Sequence, residues 1–175
     1  TGVMGLNNFD DSWGIWGHNL RKVLGDNVDK VYATIHGKTD DSQLCFSSEE
    51  MYRQIESYIV DNIGEKGSSR FVIAPDDTPY ACTCASCTAM GNTEKNATPA
   101  VTELLLRLSQ RFPKHSFFTI SYLSTKQVTD KQLPSNAGII VSAIDFPLRR
   151  IDGKNAQEKK FMQQLNQWKK VTKDI

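Results

Sequence analysis

The feature that most constrains the fold is a regular alternation of two apolar patterns along the chain. Short, nearly continuous apolar runs of strand length occupy residues 31–35, 70–74, 116–123 and 138–144. Longer segments repeat apolar residues at the spacing of one helical face, over residues 47–63, 98–112 and 157–171. The first helix pattern opens with Ser47 and Glu50 at capping-box spacing. Strands that alternate with helices predict an α/β fold with a mainly parallel sheet.

The length of the chain limits how much of such a fold it contains. No repeat or Gly/Ser linker divides the 175 residues, so residues 1–175 are expected to form a single α/β domain. Four strand patterns are too few for a closed eight-stranded barrel, which needs about 200 residues or more. We therefore expect about half of a (β/α)8 barrel of the TIM type, as a fragment of a larger barrel protein. A half barrel exposes apolar strand edges, so self-association is also expected.

Charge and hydropathy patterns exclude two classes of partner. The net charge is +1 and no long basic run is present, so nothing indicates binding to nucleic acid. No apolar segment approaches the roughly 18 residues that a membrane span requires. The first residues also lack the basic start and the apolar core of a signal peptide. We therefore expect neither a nucleic acid partner nor a membrane span.

Four cysteines form the most specific chemical pattern in the chain. Cys45 precedes the first long helix, and Cys82, Cys84 and Cys87 form a C-x-C-x-x-C motif after the second strand pattern. Both loops follow strands, so the four sulfurs can converge on one tetrahedral Zn²⁺, which is structural when all four ligands are cysteines. Two disulfides or free buried thiols are the alternatives. The short spacing favours the metal, because Cys82 and Cys84 would point in opposite directions along an extended segment.

Carboxylates at predicted strand ends are the candidates for catalysis. Asp76 and Asp77 directly follow the strand pattern at 70–74, and Asp145 follows the one at 138–144. In parallel α/β folds the active site gathers at the carboxyl ends of the strands. Glycoside hydrolysis usually needs two carboxyl groups there, one of which donates a proton as a general acid. The alternative is an ordinary turn at 75–78 in which the aspartates bind backbone N–H groups.

Further residues are candidates for substrate binding. His18 and Trp16 lie in an aromatic segment whose rings could stack on a sugar. Tyr122, near the end of its strand pattern, and Asp145, just past another, could reach the same pocket. For His18 and Tyr122 the alternative is packing inside the core.

Several segments carry a resemblance to known families. One cysteine, followed about 40 residues later by C-x-C-x-x-C, resembles the zinc cluster of family 42 β-galactosidases, which are (β/α)8 barrels. A broader resemblance, to the barrel of domain-of-unknown-function family 4838, is carried by four segments: WGIWGHNLRKVL, QLCFSSEEM, APDDTPYACTCASC and RFPKHSFFTISYL. Members of that family are typically exported, multidomain proteins of polysaccharide-degrading bacteria. The resemblance therefore implies a secreted, periplasmic or cell-surface protein.

The resemblance also implies a function. Asp77 matches the strand-end acid of the family and is the expected general acid, while Asp76 would orient the substrate or a partner acid. The family usually has Asn-Asp-Gly at this place, so Asp76 and Thr78 depart from its pattern. We expect a glycoside-hydrolase-like domain that acts on a glycan and holds a structural Zn²⁺. A non-catalytic carbohydrate-binding or scaffold module with the same zinc site is the alternative, and a redox protein that uses the cysteines directly is a third.

Overall fold

A parallel sheet, an antiparallel hairpin and flanking helices make up the fold. The computed structural model describes residues 13–25, 28–65, 68–144, 146 and 155–175. In chain order its strands and α-helices are β1 (Tyr32–Ile35), β2 (Lys38–Leu44), α1 (Glu49–Asn62), β3 (Arg70–Val72), α2 (Ala85–Met90), α3 (Thr98–Arg111), β4 (Ser116–Ser121), β5 (Ala137–Val141) and α4 (Ala156–Val171). Short 3-10 helices occupy Leu20–Val23, Val28–Lys30 and Leu123–Thr125. The predicted α/β class is confirmed.

The parallel sheet has the strand order β3-β4-β5. Phe71 pairs with Phe117, and Phe117 pairs with Ala137, so the three strands run side by side from nearly the same level. On the edge of β3 opposite β4, Ile15 forms a parallel bridge with Phe71, and the N–H of Val72 donates to the Ile15 carbonyl at 2.8 Å. All four segments run in one direction, so their carboxyl ends meet at one edge of the sheet.

Gly14 permits the close approach of the first segment to β3. A Cβ at this position would lie 2.2 Å from a ring carbon of Phe71, which leaves no room for a side chain. The N–H of Gly14 donates to the Arg70 carbonyl at 2.8 Å, and this bond extends the pairing by one residue. The chain from Ile15 to His18 is thereby held beside the end of β3.

The strand predicted over 31–35 is present, but it lies outside the parallel sheet. It pairs antiparallel with β2, a strand that the sequence patterns do not predict. The sequence of β2 is polar and most of its residues are at least partly exposed, so it lacks an apolar run. His36 and Gly37 connect the two strands with φ angles of 51° and 76°. Positive φ at both positions is the signature of the tight two-residue turn that matches the twist of a hairpin.

Two hydrophobic clusters join the helices to the sheet. The larger cluster joins the apolar stripes of α1 and α3 to the helix-facing side of β3 and β4, through buried residues that include Ile55, Ile59, Leu105, Leu108, Phe71, Ile73 and Phe117. In the smaller cluster, Trp168 and Val171 of α4 cover Ile139 of β5. The helical stripes are thus the core-facing sides of their helices. None of the helices in the described ranges has the length and apolar character that crossing a bilayer requires.

Helix α1 is capped by a different serine from the predicted one. The Ser48 hydroxyl accepts from the N–H of Met51 at 3.2 Å and donates to the carbonyl of Lys30 at 2.8 Å. The prediction of Ser47 as the cap is therefore wrong by one residue. The side chain of Ser47 contacts the cysteines instead.

Phe117 provides a test of the larger core. It is 0% exposed and stacks on Phe71 with ring centroids 5.4 Å apart. Phe117→Ala should lower the free energy of unfolding by about 3–5 kcal/mol, because it removes buried apolar area and leaves a cavity. Met162→Ala, at a side chain that is 45% exposed, should change it by no more than about 0.5 kcal/mol. Urea unfolding of the two variants measures both values, and similar losses would contradict this account of the core.

Candidate metal centre and strand-end acids

The cysteine loop lies against the β1–β2 hairpin and is fixed there by hydrogen bonds. The N–H of Thr83 donates to the carbonyl of Thr34 at 2.8 Å, and the Thr83 hydroxyl donates to the same oxygen at 3.1 Å. Cys84 follows as the N-cap of α2, so Cys87 lies in the first turn of that helix. Cys45 comes directly after the last residue of β2. The end of β2 and the start of α2 therefore bring the cysteines together.

The four Sγ atoms, called the sulfur cluster below, have the spacing of metal ligands. The atoms of Cys45, Cys82, Cys84 and Cys87 all lie within 4.8 Å of one another. Cys45 Sγ is 3.7 Å from Cys84 Sγ and 3.8 Å from Cys87 Sγ. A tetrahedral ion with ligand bonds of about 2.3 Å places its sulfurs about 3.8 Å apart, whereas a disulfide needs about 2.05 Å. All four cysteines are free, and the cluster could hold a metal ion.

Hydrogen bonds between the thiols set the charge of the sulfur cluster. The pKa of Cys82 is lowered, first because Cys45 and Cys87 donate to its sulfur and also because the N–H of Thr34 does so at 3.2 Å. The hydrogen bond to Cys82 in turn raises the pKa of Cys45 to about 11. The pKa of Cys87 is also raised, chiefly by its hydrogen bonds to Cys45 and Cys82. The lowered pKa favours the thiolate at Cys82, and the raised pKa values favour the thiol at Cys45 and Cys87.

The sulfur cluster is surrounded by hydrogen-bond donors. The backbone N–H of Thr34 points at Cys82 Sγ, and that of Cys87 points at Cys84 Sγ at 3.5 Å. The Ser47 hydroxyl accepts from Cys87 Sγ at 3.1 Å and lies 3.3 and 3.5 Å from Cys45 Sγ and Cys84 Sγ, where it can donate to a thiolate. Four thiolates around a divalent ion leave a net charge of −2, which such donors stabilise. The sequence patterns do not identify Ser47 as a neighbour of the cysteines, because a serine before a helix is also expected as a helix cap.

Asp76 and Asp77 stand just past β3, as predicted, but their carboxyl groups have different surroundings. Asp76 is half-buried and accepts from Arg21 Nε at 2.7 Å, while Arg21 Nη2 lies 2.6 Å from the same carboxylate oxygen. Burial alone would lower the pKa of Arg21, but the hydrogen bond and the charge of Asp76 raise it overall. Asp77 is exposed. Within the described residues its carboxyl group forms no hydrogen bond or ion pair.

Gln43 fixes the backbone around the two acids. Its side chain is buried, and its Oε1 accepts from the N–H of Asp76 at 3.0 Å. Its Nε2 donates to the carbonyls of Asp76 and Tyr80, at 3.3 and 3.2 Å. The Asp76 carbonyl also accepts from the N–H of Thr78 at 2.7 Å, so the backbone itself turns at this point. Neither Gln43 nor Arg21 was predicted, because each acquires its role from a segment distant in sequence.

The aromatic candidates divide between two places. His18 donates from Nδ1 to the carbonyl of Pro75 at 2.5 Å, next to the acids, and its ring lies 6.1 Å from that of Tyr122. Trp16 instead packs edge-on against Trp13 at 4.8 Å, and both rings line a cavity of about 270 Å³ together with Phe118, Ile140 and the C-terminal Ile175. Asp145 lies outside the described residues. His18, Tyr122 and the two acids therefore share one edge of the sheet.

A family model matches residues 21–175. The chain belongs to the family described as Domain of unknown function (DUF4838). Comparisons with curated proteins and with solved structures gave no match. The DUF4838 match confirms the resemblance predicted from the sequence. It spans all four cysteines, both strand-end acids and Tyr122, whereas Trp16 and His18 precede it.

Metal binding to this DUF4838 chain should release protons. Because the raised pKa values keep Cys45 and Cys87 protonated at neutral pH, an ion that binds all four sulfurs must displace at least these two protons. Metal affinity should therefore rise by about 100-fold or more for each pH unit between pH 6 and 8.

Zn²⁺ titration calorimetry in buffers of different ionisation enthalpy counts the released protons directly. Ser109→Ala, at a buried serine outside the cluster, serves as the control and should release the same number as the wild type. Release of fewer than two protons per ion would contradict the charge distribution described here.

Proposed function

We propose that this chain is part of a glycoside-hydrolase-like domain that acts on a glycan, with Asp77 as the general acid. The observation that carries the proposal is the position of Asp76 and Asp77 directly past a buried parallel strand, beside His18 and Tyr122. Active sites of parallel α/β folds occupy this edge. Acids beside aromatic rings provide the two properties that sugar binding and hydrolysis need, proton transfer and stacking.

The surroundings of the two acids support different roles for them. The carboxylate of Asp76 forms an ion pair with Arg21, which stabilises its charged form, and it can position a substrate hydroxyl or amide. Asp77 is exposed and has no partner among the described residues, so its carboxyl group is available to a glycosidic oxygen. Donation of a proton to that oxygen is the task of a general acid in glycoside hydrolysis.

A second carboxyl group is needed to complete hydrolysis. Asp145 is the internal candidate, and a later strand of a larger barrel is the other source. We propose that the parallel sheet is about half of a (β/α)8 barrel, which agrees with its parallel order and with helices on one face. Export of the protein and self-association through exposed strand edges are further proposals.

We further propose that the sulfur cluster holds one structural Zn²⁺. Zinc bound by four thiolates is closed to further ligands and stabilises the fold rather than the reaction. The residues fit this role, because Cys45 directly follows β2, whereas Cys82, Cys84 and Cys87 lie at or just before the start of α2. The ion would supply a crosslink between these two elements.

Zinc content and its effect on the loop provide one test. The purified protein should contain about one equivalent of zinc per chain, and chelation should increase hydrogen exchange first over residues 78–95, with β3, β4 and β5 still protected. Cys45→Ser should lower the zinc content, whereas Ser109→Ala, outside the cluster, should not. Less than about half an equivalent of zinc, without free thiols, would favour disulfides instead.

Asp77→Asn provides the test of catalysis. If Asp77 is the general acid, this variant should lower kcat/KM by about 100-fold or more on a panel of aryl glycosides that includes N-acetylhexosaminides. Asp61→Asn, at an exposed carboxylate of α1, is the matched control and should leave turnover unchanged.

The same panel separates the proposal from its alternative. A non-catalytic carbohydrate-binding or scaffold module is favoured by the pairing of Asp76 with Arg21, which leaves one uncommitted carboxyl group in the acid pair. Such a module would bind glycans in calorimetry without turning over any substrate. Turnover that is unchanged in Asp77→Asn would remove Asp77 from its proposed role.

A further inference from the structure

The side chain of Ser47 has an unusual position relative to the sulfur cluster. Its Oγ lies 3.1 Å from Cys87 Sγ, 3.3 Å from Cys45 Sγ and 3.5 Å from Cys84 Sγ. A serine hydroxyl donates only one hydrogen bond at a time. A bond to one of the sulfurs would not by itself place the oxygen at similar distances from all three. The oxygen therefore lies above the triangle that these three sulfurs form.

The fourth sulfur decides on which side of the triangle the hydroxyl lies. Cys82 Sγ is within 4.8 Å of each of the other three sulfurs and so occupies one side of their plane. An oxygen about 3.3 Å from all three on that same side would overlap with Cys82 Sγ. The Ser47 hydroxyl must therefore cover the opposite face of the cluster. This face is one of the four through which a fifth ligand could reach an ion bound by the four sulfurs, and it includes Cys84, which is partly exposed whereas the other three cysteines are buried.

The neighbouring residue, Ser48, caps α1. Ser48 accepts from the N–H of Met51 and donates to the Lys30 carbonyl, so α1 is capped without Ser47. Ser47 is half-buried, and the hydrogen-bond partners of its hydroxyl in the described residues are the three sulfurs. Two adjacent serines thus have separate tasks.

We propose that Ser47 closes one face of the metal centre and thereby controls the exchange of its ion. The proposal rests on the proposed binding of Zn²⁺ by the sulfur cluster. The hydroxyl donates to a thiolate, which stabilises the excess negative charge, and its oxygen excludes water or a chelator from the covered face. With this face closed, no incoming ligand bonds to the ion from this side before a metal–sulfur bond has opened. With it open, an incoming ligand bonds to the ion first and accelerates its loss.

Transfer of Zn²⁺ from the protein to a chromophoric chelator tests this directly. In the wild type, the transfer rate should not depend on the chelator concentration, because bond opening limits it. In Ser47→Ala, the rate should rise in proportion to chelator concentration and exceed the wild-type rate by about tenfold or more, with a weaker affinity for the ion. Ser47→Thr keeps a hydroxyl and should restore slow transfer that is independent of the chelator.

Ser48→Ala is the matched control, because it removes the adjacent hydroxyl, with its helix cap and its bond to the Lys30 carbonyl, and leaves Ser47 and the four sulfurs unchanged. It should lower the stability of the protein and leave the transfer rate within about twofold of the wild type. The thiolate-to-metal absorption of the Co²⁺-loaded proteins should be retained in every variant, since all four ligands remain.

The outcomes separate this proposal from the zinc site on which it rests. A wild-type rate that rises with chelator concentration overturns the role of Ser47 whether or not Ser47→Ala folds, as do equal rates in Ser47→Ala and the wild type. A wild type that binds neither Zn²⁺ nor Co²⁺ overturns the metal site and this proposal together.

Discussion

The pairing of β3 on both of its edges is the constraint on which the rest of the structure depends. Its backbone is bonded to the segment around Ile15 on one side and to β4 on the other. Phe71 and Val72 are both 0% exposed, so its two faces are covered as well. A strand held in this way cannot shift its register without breaking two ladders and exposing apolar side chains. The chain that leaves β3 towards Asp76 therefore starts from a fixed point.

A different interaction holds the segment between β3 and α3. This segment adds Ile73 and small residues such as Ala81 and Ala97 to the core, and polar groups and sulfur hold the rest of it in place. Asn92 is buried, donates to the Cys82 carbonyl at 3.1 Å and accepts from the N–H of Ala100 at 3.0 Å, so it joins the cysteine loop to α3. On its other side the loop meets the hairpin through Thr83 and the sulfur cluster. The strand-end acids thus lie between a sheet fixed by its backbone and a loop fixed by side-chain chemistry.

The sequence predicts local elements well and the partners of polar side chains poorly. The helical stripes and the buried strands follow from periodic apolar residues, so α1, α3, β3, β4 and β5 could be located in advance. Strand β2 could not, because half-exposed polar residues have the same pattern in a strand and in a loop. The cysteine spacing indicates a shared site, since sulfur chemistry restricts the uses of such a motif. Arg21, Gln43 and Ser47 could not be identified, because their partners depend on contacts across the fold.

One feature of β2 connects the two parts of the candidate site. Gln43 and Cys45 lie two residues apart at the end of β2. The first side chain holds the backbone at Asp76 and Tyr80, and the second belongs to the sulfur cluster. The backbone at the acids and the sulfur cluster are therefore held by the same short stretch of chain, residues 43–45.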